Sequence, residues 1–211
     1  MVNFSEKEVV EGLKKHFPEP RIELDYKNLY QLLIVVILSA QTTDKRVNQV
    51  SPKLFEKYPS PRDLAKADIH ELENILKPLG FYRRKALLIK ECANSLVERF
   101  DRKVPDSIKE LTMLPRVGRK TASTILVNTF NIPAIVVDTH VMRVVTKRLK
   151  ISQRRTPEKV EEDLSRFFLK DNWIYISKAL VLFGRYICTA YNPKCGECNL
   201  YYICSYKKKA R

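Results

Sequence analysis

The sequence predicts an all-α protein of about ten helices joined by short turns. Three observations carry that expectation. Apolar residues recur at helical spacing along most of the chain. Three capping-box patterns, Ser5-x-x-Glu8, Asp68-x-x-Glu71 and Ser107-x-x-Glu110, mark helix starts. The one β-like run, Ile132 to Val137, is short and broken by Pro133, which reads as an extended connector.

Taken in order, the first helix follows Ser5 and buries the face made by Val9, Val10, Leu13 and Phe17. The stretch Tyr30 to Ala40 is apolar almost all round, as a helix at the centre of a bundle should be. Val47, Val50 and Leu54 give the next helix its buried stripe, and Asp68 opens another. Arg84 to Phe100 is helical by the spacing of Leu87, Cys92, Ala93, Leu96 and Phe100, with Cys92 a buried and inert thiol. After Ser107, a short helix turns through Leu114-Pro-Arg-Val-Gly-Arg-Lys-Thr-Ala122 into a longer one. A further helix starts at Asp138, and Thr156-Pro157-Glu158 puts proline at a first helical position.

Charge points to the kind of partner. The 39 Lys and Arg against 24 Asp and Glu leave +15, an excess that attracts a polyanion. A membrane surface is one candidate, but the longest apolar run, Leu32 to Leu38, falls far short of the ~20 residues that span a bilayer. The N-terminus turns acidic at Glu6, too early for a signal peptide, so an intracellular protein is expected. The excess therefore points to nucleic acid or an anionic surface, with no segment that spans a membrane.

In a reducing compartment, disulfides do not account for the cysteines. Cys188, Cys195, Cys198 and Cys204 follow a C-x6-C-x2-C-x5-C spacing near the C-terminus. Four thiolates so close suit a tetrahedral metal site or an iron–sulfur cluster. Zinc usually comes with two C-x2-C knuckles, whereas this chain has one, which favours a cubane cluster. Gly196 fits the tight turn between Cys195 and Cys198, and Asn192-Pro193 marks the start of the loop.

The hairpin carries the candidate chemistry. Only five glycines occur, and Gly118 sits where a chain must pass close to a phosphate before the N–H groups of a helix start. Such contacts hold a nucleic-acid backbone without reading bases. Lys120 falls in the first turn of the following helix. The positive helix end, Arg116 and Arg119 all disfavour a second cation there, which favours the free amine that a nucleophile requires. Asp138 reads as an N-cap, and a carboxylate held rigidly at a helix start can also take a proton or balance a developing cation. His140 is expected to pack or to contact phosphate.

Taken together, Leu38-Ser-Ala-Gln-Thr-Thr-Asp44, the Leu114–Ala122 hairpin, Val137-Asp-Thr-His140 and the cysteine spacing resemble the endonuclease III family of helix–hairpin–helix DNA glycosylases. The resemblance covers essentially the whole chain. It implies two helical lobes flanking a DNA-binding cleft. One is a six-helix barrel over residues 22–132. The other is a discontinuous lobe, residues 1–21 and 133–211, carrying a [4Fe-4S] cluster on loop 188–204. It further implies that Lys120 and Asp138 are catalytic and that Cys188, Cys195, Cys198 and Cys204 hold the cluster. Gln41 would fill the gap left by a flipped nucleotide, Phe81 would stand at a wedge position, and Arg116, Val117, Gly118, Arg119 and His140 would contact DNA. Lys194, Lys207, Lys208 and Lys209 would supply further phosphate contacts.

The implied activity is removal of oxidised pyrimidines from duplex DNA, with strand nicking at abasic sites, by a monomer in a prokaryotic, nucleoid-associated cytoplasm. Two departures stand out. Family hairpins usually have glycine where this chain has Arg116, and Phe81 is bulkier than the usual aliphatic wedge. Mismatch-specific glycosylases of the same fold typically lack a lysine at the position of Lys120, which separates them from this chain. A non-catalytic iron–sulfur DNA-binding module would need the charge and the hairpin but not both Lys120 and Asp138.

Overall fold

A computed structural model describes residues 3–206. The chain is helical, with no strand among the described residues, and forms two compact units. Glu23–Phe130 makes one; Met1–Ile22 with Asn131–Arg211 makes the other. Of the lysines expected near the cysteine loop, Lys207, Lys208 and Lys209 lie outside the described residues.

The continuous unit is built around α2 (Leu29–Leu38), whose residues Tyr30 to Leu38 are all buried. That follows from a stretch with no polar face to expose. Asn28 caps α2 by accepting the Gln31 N–H. Helix α2 packs on α3 (Asp44–Lys57), α6 (Tyr82–Arg99) and α8 (Arg119–Ile125). Two shorter helices, α4 (Pro61–Ala65) and α5 (Ile69–Leu76), lie against α6. Asp68 caps α5 as expected, and Ser60 forms a full capping box with Asp63 at the start of α4. Cys92 on α6 is fully buried, and burial pushes its thiol up to about 12. The short α7 (Ile108–Leu111) starts at Ser107, which accepts the Glu110 N–H. Beyond Ile125, α8 runs on into a π-helical segment, Leu126–Phe130.

The discontinuous unit joins α1 (Glu6–Lys14) to the C-terminal third of the chain. Its other helices are α9 (Thr139–Met142), α10 (Pro157–Phe167) and α11 (Trp173–Tyr186). Val9 and Leu13 of α1, Val141 and Val144 after the connector, Leu164 of α10 and Phe183 of α11 meet in one core. Ser5 closes the capping box with Glu8 that the sequence predicts. Helix α9 continues into a second π segment, Arg143–Arg148, where the Leu149 N–H donates to Val144 O (2.9 Å).

The connector 132–137 is extended and unpaired by any strand, so its buried backbone needs side-chain partners. Ser177 of α11 supplies them: its Oγ accepts the Val136 N–H (3.0 Å) and donates to Ala134 O (2.6 Å). Ser177→Ala strands one buried donor and one buried acceptor. Chemical denaturation should show a loss of about 1–3 kcal/mol with an unchanged m-value; a cost within experimental error would remove Ser177 from this role.

Candidate functional site

The hairpin between α7 and α8 begins as a turn in which the Val117 N–H donates to Leu114 O (3.1 Å). Pro115 precedes Arg116, and Arg116 has φ +61°. This is the type II pattern, whose third residue is normally glycine because φ must be positive. Arginine there costs about 1 kcal/mol, and its side chain is exposed. Gly118, by contrast, has an ordinary extended backbone (φ −83°) with open space where a Cβ would stand. The left-handed residue of this hairpin is therefore Arg116. What Gly118 does is start α8 without a side-chain cap.

Val117 is buried at 3% exposure, so its side chain belongs to the core. Arg119 and Lys120 are exposed in the first turn of α8. The Lys120 carbonyl accepts the Thr124 hydroxyl (2.9 Å).

Gln41 and Phe81 share the unusual backbone of Arg116, with φ +55° and +58°. All three line one cavity of about 320 Å³. Phe81, immediately before α6, is 66% exposed, an aromatic ring held out in solvent. Sequence reasoning missed the cations around the same cavity, Arg84 and Lys85. Lys85 is buried, its amine donates to Thr42 Oγ1, and burial pulls that amine below its usual range. The Arg83-Arg84-Lys85 run was the available signal. Left-handed backbone at Gln41 and Phe81 has no such signal, whereas Arg116 stands where the family usually has glycine.

In the discontinuous unit, Asp138 is the N-cap of α9, and the Val141 N–H donates to its Oδ1 (2.8 Å). His140 is half-buried with Nδ1 3.3 Å from Arg143 Nη2. Gly184 of α11 lies directly against it: a Cβ on Gly184 would stand 2.8 Å from His140 Cβ. Arg143 also donates to Gly184 O (2.5 Å) and Cys188 O (3.0 Å), joining α9, α11 and the cysteine loop.

Cys188, Cys195, Cys198 and Cys204 line a single small cavity. Every cysteine is a free thiol. Burial pushes the Cys198 thiol up to about 11 and raises Cys188, against which Arg148 and Arg143 act. Cys195 and Gly196 lie in a 3-10 turn, so Gly196 needs no positive φ. Among the described residues, no three His, Cys, Asp or Glu side chains are placed to hold a single metal ion. The loop is docked on α1, where a Cβ on Gly12 would meet Leu200 Cδ2 at 2.2 Å and the Asn199 N–H donates to His16 Nε2 (3.1 Å).

Residues 34–170 match the HhH-GPD superfamily of base excision DNA repair proteins. The endonuclease III of Thermotoga maritima is 42% identical over 96% of this chain and 93% of its own length. The chain belongs to the endonuclease III family. The Synechocystis endonuclease III is 41% identical over 93% of this chain and 90% of its own length. A solved structure of a trapped endonuclease III–DNA covalent intermediate, an estranged-adenine complex, matches with TM-score 0.89 and 38% identity, covering 96% of each chain. Within this family member, Arg116 and Phe81 line one cavity.

Proposed function

We infer that this protein is a bifunctional DNA glycosylase and AP lyase of base excision repair, acting on oxidised pyrimidines in duplex DNA. The observation that carries the reading is Lys120, an exposed amine in the first turn of an uncapped helix directly after the hairpin. Oxyanions are favoured at such a helix start, so a phosphate docked there brings the sugar within reach of the amine.

The damaged nucleotide is rotated out of the stack, at a cost of a few kcal/mol. Lys120 Nζ, unprotonated, attacks C1′ and the bond from C1′ to the base breaks, the base leaving with the electron pair and a proton. Opening of the sugar gives a Schiff base between Nζ and C1′. Loss of a C2′ proton then expels the 3′ phosphate, which nicks the strand on the 3′ side, and water frees Lys120. Asp138 takes a proton or balances positive charge at the sugar. Because Oδ1 is engaged by Val141, Oδ2 is the oxygen left for that work. Gln41, Phe81, Arg116 and the backbone at Val117, Gly118 and Arg119 hold the DNA, with His140 a further contact.

Four soft sulfur donors around one cavity, with a single C-x2-C step among them, fit a polynuclear cluster better than zinc. Cys188, Cys195, Cys198 and Cys204 would hold a [4Fe-4S] cluster. Its contribution is structural, four bonds that tie together a loop with little core of its own. Among the described residues no helix is long and apolar enough to cross a membrane. The bacterial relatives support a prokaryotic cytoplasm, and the DNA substrate supports association with the nucleoid.

The test is duplex DNA carrying thymine glycol or an abasic site, with borohydride added during turnover. Hydride reduces the imine to a stable amine, so a covalent protein–DNA band is expected. Base release without that band would make the enzyme monofunctional. Binding with neither would leave a DNA-binding module.

A further inference from the structure

Arg148 is buried, 7% exposed, at the end of the second π segment. Its Nε has no hydrogen-bond partner, and no carboxylate among the described residues pairs with it. A buried guanidinium without a counter-charge is costly, so its surroundings should hold an anion when the protein is complete. Those surroundings are the cysteine cavity, which Arg148 lines together with all four thiols. The residue is also fixed there. Its carbonyl accepts the Ser205 N–H (2.8 Å) and lies 3.6 Å from Cys204 Sγ, and its guanidinium sits 3.5 Å from the centre of the Tyr206 ring.

The π winding explains how two arginines reach one loop. In an α-helix, residues five apart lie about 140° apart around the axis. Bonding from i to i+5 returns them to nearly the same face. Arg143 and Arg148 are five apart across Arg143–Arg148, and both face the cysteine loop. Arg143 spends its donors on the Gly184 and Cys188 carbonyls. Lys194 is exposed and screened by water. Arg148 is the buried cation with a donor unspent.

We propose that Arg148 is the counter-cation of the cluster held by Cys188, Cys195, Cys198 and Cys204, and that it sets the cluster's reduction potential. This rests on the cluster reading above. An oxidised cubane with four thiolates carries about −2, and reduction adds one more negative charge. A buried cation beside it favours the reduced form, so the potential should fall when that cation is removed.

The experiment compares wild type, Arg148→Met, Arg148→Gln and Arg148→Lys by iron and sulfide content and by the midpoint potential of the DNA-free holoprotein. Wild type without about four irons overturns the cluster reading itself, before any variant is compared. With the cluster present, either neutral variant should lower the ratio of reduced to oxidised cluster at fixed potential about tenfold, which is 59 mV for a one-electron couple. Arg148→Lys should stay within half of that shift. An unchanged potential in a loaded neutral variant, or an equal shift in Arg148→Lys, sinks the proposal. If neither neutral variant loads while Arg148→Lys does, the positive charge is required and the proposal stands. If Arg148→Lys fails with them, Arg148 serves packing alone and the proposal falls.

Discussion

Lys120→Ala should still bind abasic duplex DNA, yet give no borohydride-trapped adduct and lose strand nicking by on the order of a thousandfold or more. The size follows from the role. Only an amine on the sugar carbon can form the imine that acidifies C2′, and no other lysine lies in the first turn of α8. Removing an exposed side chain at that position costs the fold little, and alanine is the better helix former. Melting temperature and salt-dependent DNA affinity should therefore remain near wild type while chemistry disappears. Retention of the trapped adduct would move the nucleophile elsewhere, with the buried amine of Lys85 the first place to look.

Gly184→Ala should be the most damaging of the glycine-to-alanine changes. The added Cβ would stand 2.8 Å from His140 Cβ and 3.1 Å from His140 O, and neither atom can swing aside. Helix α9 must move away from α11, stretching the Arg143 bond to Gly184 O and carrying Asp138, at its N-cap, with it. Overpacking of this kind costs about 1–3 kcal/mol, which calorimetry would read as a fall of several degrees in Tm. Turnover should fall as well, because Asp138 is displaced. Gly12→Ala is the useful contrast. Its closest obstacle is the tip of the Leu200 side chain, which can rotate, so its Tm should fall less. Equal losses would mean that both helices are free to shift.

Much of this was legible before any coordinates. Ser5, Asp68 and Ser107 announce their helices because a capping side chain and its helix are neighbours in sequence. The burial of Tyr30 to Leu38 follows from its having no polar face. The Asp138 cap is likewise local. Gly118 reads in the sequence as a place for close approach to a phosphate, and its backbone is extended; the positive φ of the hairpin falls on Arg116, where the family usually carries glycine. The π segments were illegible, since one extra residue per turn leaves no mark on a 3.6-residue pattern. The glycines at positions 12 and 184 were visible as rare residues, but what they lie against, Leu200 and His140, is distant in sequence. The cysteines were read from spacing alone, whereas Arg148, buried against them, gave no signal at all.

The interrupted unit also has a consequence for the order in which the chain can fold as it is made. Residues 23–130 form a unit whose contacts are complete once they have left the ribosome. Helix α1 is made before residues 23–130, but its partners come after them: Val9 and Leu13 share a core with residues from Ile135 to Leu200, and His16, just beyond α1, bonds Asn199, 183 residues later. At about 5–20 residues per second, that wait is roughly 10–40 s. For the first part of it, until residues from Ile135 onward are made, the apolar face of Val9, Val10 and Leu13 has nothing native to cover it. Helix α1 thus waits while residues 23–130 are made, open meanwhile to chaperones, proteases and other nascent chains.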